Sequence, residues 1–249
     1  MSEIQVMNDQ LLLIGGLSGD GKSSSLRNIL NQEKWIYLNC DAGKRLPFRH
    51  KFMHGGLTIE EPAQVYEAFD YAYEHEEVAG VAVDTLTFLM DLAELFLVQR
   101  SSDSQKGWGQ FQQYFKVLMM EKVARLRKPV IFLAHVREEL DEAAQAWKTS
   151  VPVKGALKNN GIEAYFSTVV TAKKVKLKDI EKFGSKLLNI TDEEKELGFK
   201  HVFQTRITKE TTGCRIRSPM GMFDRSQTYI DNDAQLLLNH LNEYYGVTR

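Results

Sequence analysis

The run Gly16-Leu17-Ser18-Gly19-Asp20-Gly21-Lys22-Ser23 satisfies G-x-x-x-x-G-K-[ST] at every defined position. Apolar Leu11-Leu12-Leu13-Ile14 and then Gly15 come directly before it, and a stretch from about Lys22 to Leu30 that reads as a helix comes after it. Strand, glycine-rich turn and helix in that order admit few folds. Glycines let the backbone wrap tightly and turn its N–H groups inward, and a helix start adds a field that favours anions. A chance glycine-rich turn would need neither the lysine nor the serine. Here Lys22 is placed to neutralise β- and γ-phosphate charge and Ser23 to put its hydroxyl on Mg²⁺. The expected nucleotide-binding set is Gly16, Leu17, Ser18, Gly19, Asp20, Gly21, Lys22, Ser23 and the next residue, Ser24.

The rest of the chain supplies partners for that strand. Trp35 to Leu38, Gly80 to Asp84 and Pro129 to Ala134 are apolar runs of strand length. Helical stretches from Pro62 to Glu76 and from Trp108 to Leu126 separate them. Uniformly apolar strands alternating with helices predict a parallel sheet covered on both faces. From Phe166 onward the pattern changes: Ser167 to Thr171 and Val202 to Ile207 read as strands without long helices between them. Charged Asp179 to Gly198 reads as a surface excursion, and Asp233 to Tyr245 as a closing helix. No linker rich in Pro, Gly or Ser appears, which predicts one α/β domain over 1–249, with antiparallel strands added toward the C-terminus.

Three polar residues fall at strand ends, where ligands of parallel sheets bind. Asp84 ends an apolar strand and is the expected metal-side acid, the alternative being an ordinary helix cap. Asp91 and Glu94 follow on a helix and are weaker metal candidates. Asp41, in Tyr37-Leu38-Asn39-Cys40-Asp41-Ala42-Gly43, is either the group that orients an attacking water or a turn residue. His135 ends the strand Ile131 to Ala134 and is either a γ-phosphate contact or a structural histidine. With Lys22, Asp41 and His135 form the expected catalytic set.

Together these residues resemble the RecA/RadA recombinase core, and more closely the short phage-encoded RecA-like ATPases of the single-strand-annealing type, the fourth Sak group. Tyr37 to Arg45 looks like the segment carrying the catalytic carboxylate, with Asp41 where family recombinases usually have Glu. Trp108-Gly109-Gln110-Phe111, Pro129 to His135, Val151 to Leu157, Tyr165-Phe166 and Asp231-Asn232-Asp233 are similar to the phage group. His135 matches the place of the glutamine that senses the γ-phosphate in RecA. The resemblance implies a RecA-like P-loop fold, ATP and Mg²⁺ as cofactors, and ATP hydrolysis on single-stranded DNA in recombination or annealing. A single-strand-binding protein and further copies of the chain are implied partners. A phage protein of this kind would work in the host cytoplasm.

Val136 to Asn160 matches in position the second DNA-binding loop of RecA, so loop position and the resemblance together imply DNA phosphate contacts at Lys148, Lys154 and Lys158, the alternative being a solvated surface; Trp147 is either a stacking or a buried residue. The basic run Lys44, Arg45, Arg49, Lys51 and the alternation Lys174, Lys176, Lys178 are further basic surfaces or solvated faces. RecA-like ATPases commonly receive a basic side chain from a neighbour at the γ-phosphate, and Lys209, Arg215 and Arg217 are the candidates, the alternative being a basic exposed hairpin. A formal net charge of −1 is not that of a dedicated nucleic-acid module, so any DNA contact must be a local patch. Two cysteines without metal spacing fit a reducing, intracellular setting, and the polar start MSEIQVMND has no signal-length apolar run. A second function class remains, a nucleotide-gated loader or accessory protein with little turnover. A kinase would need an acceptor pocket and an arginine-bearing lid that the sequence does not display.

Overall fold

The structure is a computed structural model that describes residues 8–142 and 146–246. Residues 1–7 and 143–145, which carry the polar start and part of the expected DNA segment, lie outside the described residues, as do 247–249. Among the described residues there are eleven strands: β1 Leu11–Gly16, β2 Trp35–Asn39, β3 Leu57–Thr58, β4 Gly80–Asp84, β5 Val130–His135, β6 Arg137–Asp141, β7 Ala146–Ser150, β8 Thr168–Lys176, β9 Phe199–Gln204, β10 Gly213–Cys214 and β11 Tyr229–Asp231. The α-helices are α1 Ala63–Glu74, α2 Leu86–Glu94, α3 Ser104–Val117, α4 Leu157–Asn160, α5 Leu177–Ile180, α6 Asp192–Leu197 and α7 Ala234–Tyr245.

Eight strands form one sheet in the order β11-β9-β8-β1-β5-β4-β2-β3. The strands from β8 to β3 in that order run parallel, whereas β9 is antiparallel to β8 and β11 to β9. This is the expected mostly parallel sheet with antiparallel strands added late, consistent with an α/β P-loop NTPase fold. Alternation explains why its strands are apolar throughout. Leu11, Leu13, Ile36, Leu38, Val81, Val83, Val130 and Phe132 face one core with residues of α1, α2 and α3. Leu12, Ile14, Trp35, Tyr37, Ala82, Ile131 and Leu133 face a second core closed by Leu237, Leu238 and Leu241 of α7. Each fully buried side chain of this size contributes roughly 1.5–3 kcal/mol of transfer free energy, so neither face can be left open to water.

Four expectations about local structure are corrected. The helix expected from Lys22 to Leu30 is a six-residue 3₁₀ helix, Ser23–Asn28. Its serines compete with the α-helical ladder, Ser25 Oγ donating to Lys22 O at 2.6 Å. The long helix expected through Leu126 is α3 followed by a wider π-turn segment, Leu118–Val123. The stretch after His135 is not a loose loop: β6 and β7 form an antiparallel hairpin, and β10 joins β7 in a separate three-stranded sheet. The basic alternation on β8 ends at Lys176, and Lys178 lies in α5. Among the described residues no helix is long and apolar enough to cross a membrane.

Candidate functional site

Register assembles the site. Gly16 pairs with His135 and Asn39 pairs with Asp84, so the ends of β1, β5, β4 and β2 meet along one edge of the sheet. Because β5 lies between β1 and β4, His135 stands between the phosphate loop and Asp84. Gly16 to Ser24, Asp41, Asp84 and His135 converge here, and a cleft of about 800 Å³ is lined by Lys22, Ser23, Asp41, Asp84 and His135 among others. That is a volume suited to a small-molecule ligand.

The loop is held by its own backbone. Gly19 and Gly21 have φ of +85° and +88°, a region that side chains rarely adopt. Asp20 closes the turn, its carboxylate accepting from Leu17 N at 2.9 Å. Lys22 Nζ donates to Gly16 O at 3.0 Å and Leu17 O at 2.8 Å, and lies 3.3 Å from His135 Nδ1. Burial pushes the Lys22 ammonium down to about 8, against the attraction of Asp20 and Asp84. Burial, followed by the Lys22 charge, lowers the His135 pKa and favours the neutral imidazole.

Asp84 is 4% exposed. Burial raises its pKa, and hydrogen bonds from Ser23 and Tyr37 act the other way. The Tyr37 hydroxyl donates to Asp84 Oδ2 at 2.9 Å, and its ring stacks on Phe52 with centroids 5.1 Å apart. A carboxylate beside a serine hydroxyl is a hard oxygen donor set that fits Mg²⁺, which usually takes one or two protein groups plus phosphate oxygens. Among the described residues no cluster of three or more His, Cys, Asp or Glu converges, and such a site needs none.

Asp41 both lines the cleft and belongs to a turn. Its N–H donates to Asn39 Oδ1 at 3.0 Å, Lys44 Nζ approaches its Oδ2 at 3.4 Å, and Ala42 and Gly43 follow with positive φ. The two sequence readings of this residue are compatible.

The expected DNA contacts are differently placed. Lys148 is paired with Asp141 across the hairpin, and Lys154 Nζ lies 2.5 Å from Glu94 Oε2. Lys158 is exposed in α4. Trp147 is exposed and faces exposed Leu140 across the ladder with Glu138 on the same face, while Glu139 and Asp141 lie on the other face beside Arg137 and Lys148. Of the residues considered for action in trans, Lys209 is exposed beside Glu210, and Arg215 Nη1 lies 2.8 Å from buried Glu163. The backbone of exposed Arg217 pairs with Val169.

Sequence reasoning missed Tyr37, Thr85, His201 and Asn232, which all line the cleft. Thr85 Oγ1 is buried without a hydrogen-bond partner next to Asp84. His201 Nδ1 and Asn232 Nδ2 meet Asp20 O at 3.2 and 3.3 Å. No local pattern could have revealed contacts across 181 and 212 residues.

A doubly covered parallel sheet, a complete phosphate loop at the carboxyl end of β1 and an acid at the end of β4 define a P-loop nucleoside triphosphatase. Residues 8–207 match the family model described as an AAA domain, well over half of the 249 residues, and the chain belongs to that family. It is thus a nucleotide-binding protein of an ATPase family, for which ATP with Mg²⁺ is the expected ligand. No curated protein matches the chain.

Proposed function

We propose that this chain is a single RecA-like ATPase domain over residues 1–249. It hydrolyses ATP and acts on single-stranded DNA, in recombination or single-strand annealing of the phage type. The observation that carries the reading is the contact of His135 with Lys22, two residues before the hairpin begins. A group touching the terminal phosphate at His135 bears directly on the chain that enters β6, so nucleotide state and hairpin position are coupled through the single residue Val136.

The residues divide the chemistry. Lys22 and the loop N–H groups bind and neutralise the phosphates. Ser23 and Asp84 would hold Mg²⁺, which when bound offsets phosphate charge. Asp41 accepts a hydrogen bond from the attacking water. Lys148, Lys154 and Lys158 are the proposed DNA contacts, the first two exchanging Asp141 and Glu94 for phosphates. Further copies of the chain, with Lys209, Arg215 or Arg217 reaching a neighbour's nucleotide, and a single-strand-binding protein are the proposed partners.

ATP turnover measured with and without an oligonucleotide tests this. Stimulation by single-stranded DNA is expected, and equal low rates in both arms would reject it. A second reading, the nucleotide-gated loader, is favoured by the hairpin itself. Exposed Leu140 and Trp147 face each other across the hairpin with Glu138 on the same face, an apolar and acidic patch that suits a protein surface better than a phosphate backbone. Nucleotide-dependent capture of a protein without DNA-stimulated turnover would establish it.

A further inference from the structure

The cleft extends well beyond the phosphate loop. Its far wall comes from the segment between β8 and β9, which the sequence presents only as a charged excursion, and from the turn between β11 and α7. We propose that this wall, from Asn189 to His201 with Asn232, is the subsite for the nucleoside, the base and ribose of the bound triphosphate. The proposal rests on the phosphate-loop reading and adds to it the part of the ligand that the loop does not touch.

Direction comes first. Lys22, His135 and Asp84 mark the end of the cleft where the terminal phosphate lies. The phosphate chain therefore runs past Ser23 and Ser24, and the nucleoside emerges beside Arg27 and Asn28 on the next turn. Those two residues are fastened to the far wall. Arg27 Nη1 donates to Asn232 O at 2.8 Å, and Asn28 Nδ2 donates to Asp233 Oδ2 at 2.6 Å.

The wall is built rather than draped. Lys200, 6% exposed, bridges Glu194 at 2.6 Å and Asp231 at 3.1 Å, stapling α6 to both β9 and β11. Asn189 N donates to Asp231 Oδ1 at 3.1 Å, and Thr191 caps α6 through a reciprocal bond with Glu194.

Its surface suits a nucleoside. Leu197 is a large apolar side chain left 56% exposed on the cleft lining, with Phe199 beside it on the same lining. An apolar platform of this kind takes the face of a base. Asn189 and Glu193 supply polar groups at its margin. Asn232, 4% exposed, lines the cleft with a buried Oδ1 that has no hydrogen-bond partner in the protein.

The test separates phosphate from nucleoside. Isothermal titration with Mg-ATP and with inorganic tripolyphosphate should show both binding to the parent protein and neither to Lys22→Ala. The double variant Leu197→Ser with Asn189→Ala alters two exposed side chains, so the fold is retained. It should weaken ATP at least tenfold while tripolyphosphate stays within twofold. Leu197→Trp, which keeps an apolar platform, should restore ATP binding when placed with intact Asn189. ATP weakened less than threefold, or ATP and tripolyphosphate weakened alike, would overturn the subsite. If both ligands bind Lys22→Ala as they bind the parent, the phosphate-loop reading fails instead and the subsite falls with it.

Discussion

Tyr37 and Asp84 are joined side chain to side chain across adjacent strands, the phenol donating to the carboxylate at 2.9 Å. Both residues are buried, and the ring of Tyr37 is fixed against Phe52. The tyrosine therefore selects which oxygen of Asp84 is left for a metal and holds the carboxylate in one orientation. Burial raises the Asp84 pKa while this bond lowers it, so removing the bond raises it further. Tyr37→Phe should raise the Mg²⁺ concentration needed for half-maximal turnover by about 10-fold or more, in the range found for groups that orient metal ligands. A magnesium titration of the rate, with ATP saturating, reads the shift. An unchanged half-saturation would leave Tyr37 with a packing role only.

Lys22 gives a pH dependence whose sign can be worked out. Its folded-state pKa is about 8, below the ordinary lysine value. Bound phosphate favours the protonated form, so binding takes up a proton once the free protein has lost it. ATP affinity should therefore be flat below about pH 8 and fall above it, by at most tenfold per pH unit. Lys22→Arg keeps its charge through this range and should flatten the profile even if its absolute affinity is lower. Titrations between pH 7 and 9.5 measure both. Lys22→Ala should abolish turnover.

Asp41→Asn preserves size and removes charge. If the carboxylate orients water, hydrolysis falls while ATP affinity stays nearly constant, because the contact matters mainly in the transition state. The turn also accepts Asn, whose side chain suits the same geometry. Equal turnover by variant and parent would leave Asp41 only its place in the turn.

Gly19 and Gly21 share a positive φ but not an environment. A Cβ on Gly19 would meet nothing within 4 Å, whereas on Gly21 it would lie 2.9 Å from Asn232 Nδ2 and 3.2 Å from His201 Nδ1. Gly19→Ala should cost only the conformational penalty, about 1–2 kcal/mol. Gly21→Ala should cost more and also displace the two side chains that meet Asp20. Denaturant unfolding orders the pair, and equal losses would show that Asn232 and His201 yield without cost.

The DNA reading makes a prediction through Glu94, which holds Lys154. Replacing Lys154 and Lys158 with Ala should weaken single-stranded DNA binding and reduce the salt slope by about 1.4, two phosphate contacts at roughly 0.7 each. Glu94→Gln should release Lys154 and tighten binding. His135→Ala should keep basal binding and lose the difference between nucleotide states. Fluorescence anisotropy on a labelled oligonucleotide measures all three. If neither lysine nor Glu94 matters, the exposed basic residues Lys44, Arg45, Arg49 and Lys51 are the next surface to test.

The sequence by itself determined the phosphate loop, the apolar strands and the acid that ends β4, because each is encoded within a few residues of itself. A glycine loop works by local backbone geometry, and a strand covered on both faces must be apolar along its whole length. Strand order was decided only in three dimensions, and with it the placing of His135 against Lys22 and Tyr37 against Asp84. The excursion before β9 reads as solvent-facing because its residues are charged. Tertiary structure buries Lys200 between two acids and turns that excursion into a wall of the cleft. The lysines after His135 look like an unpaired cationic patch in one dimension, yet two of the three meet carboxylates in the fold. Charge in a sequence adds up without regard to partners, whereas its effect on a ligand depends on which opposite charge lies within a few ångströms, and only packing sets that distance.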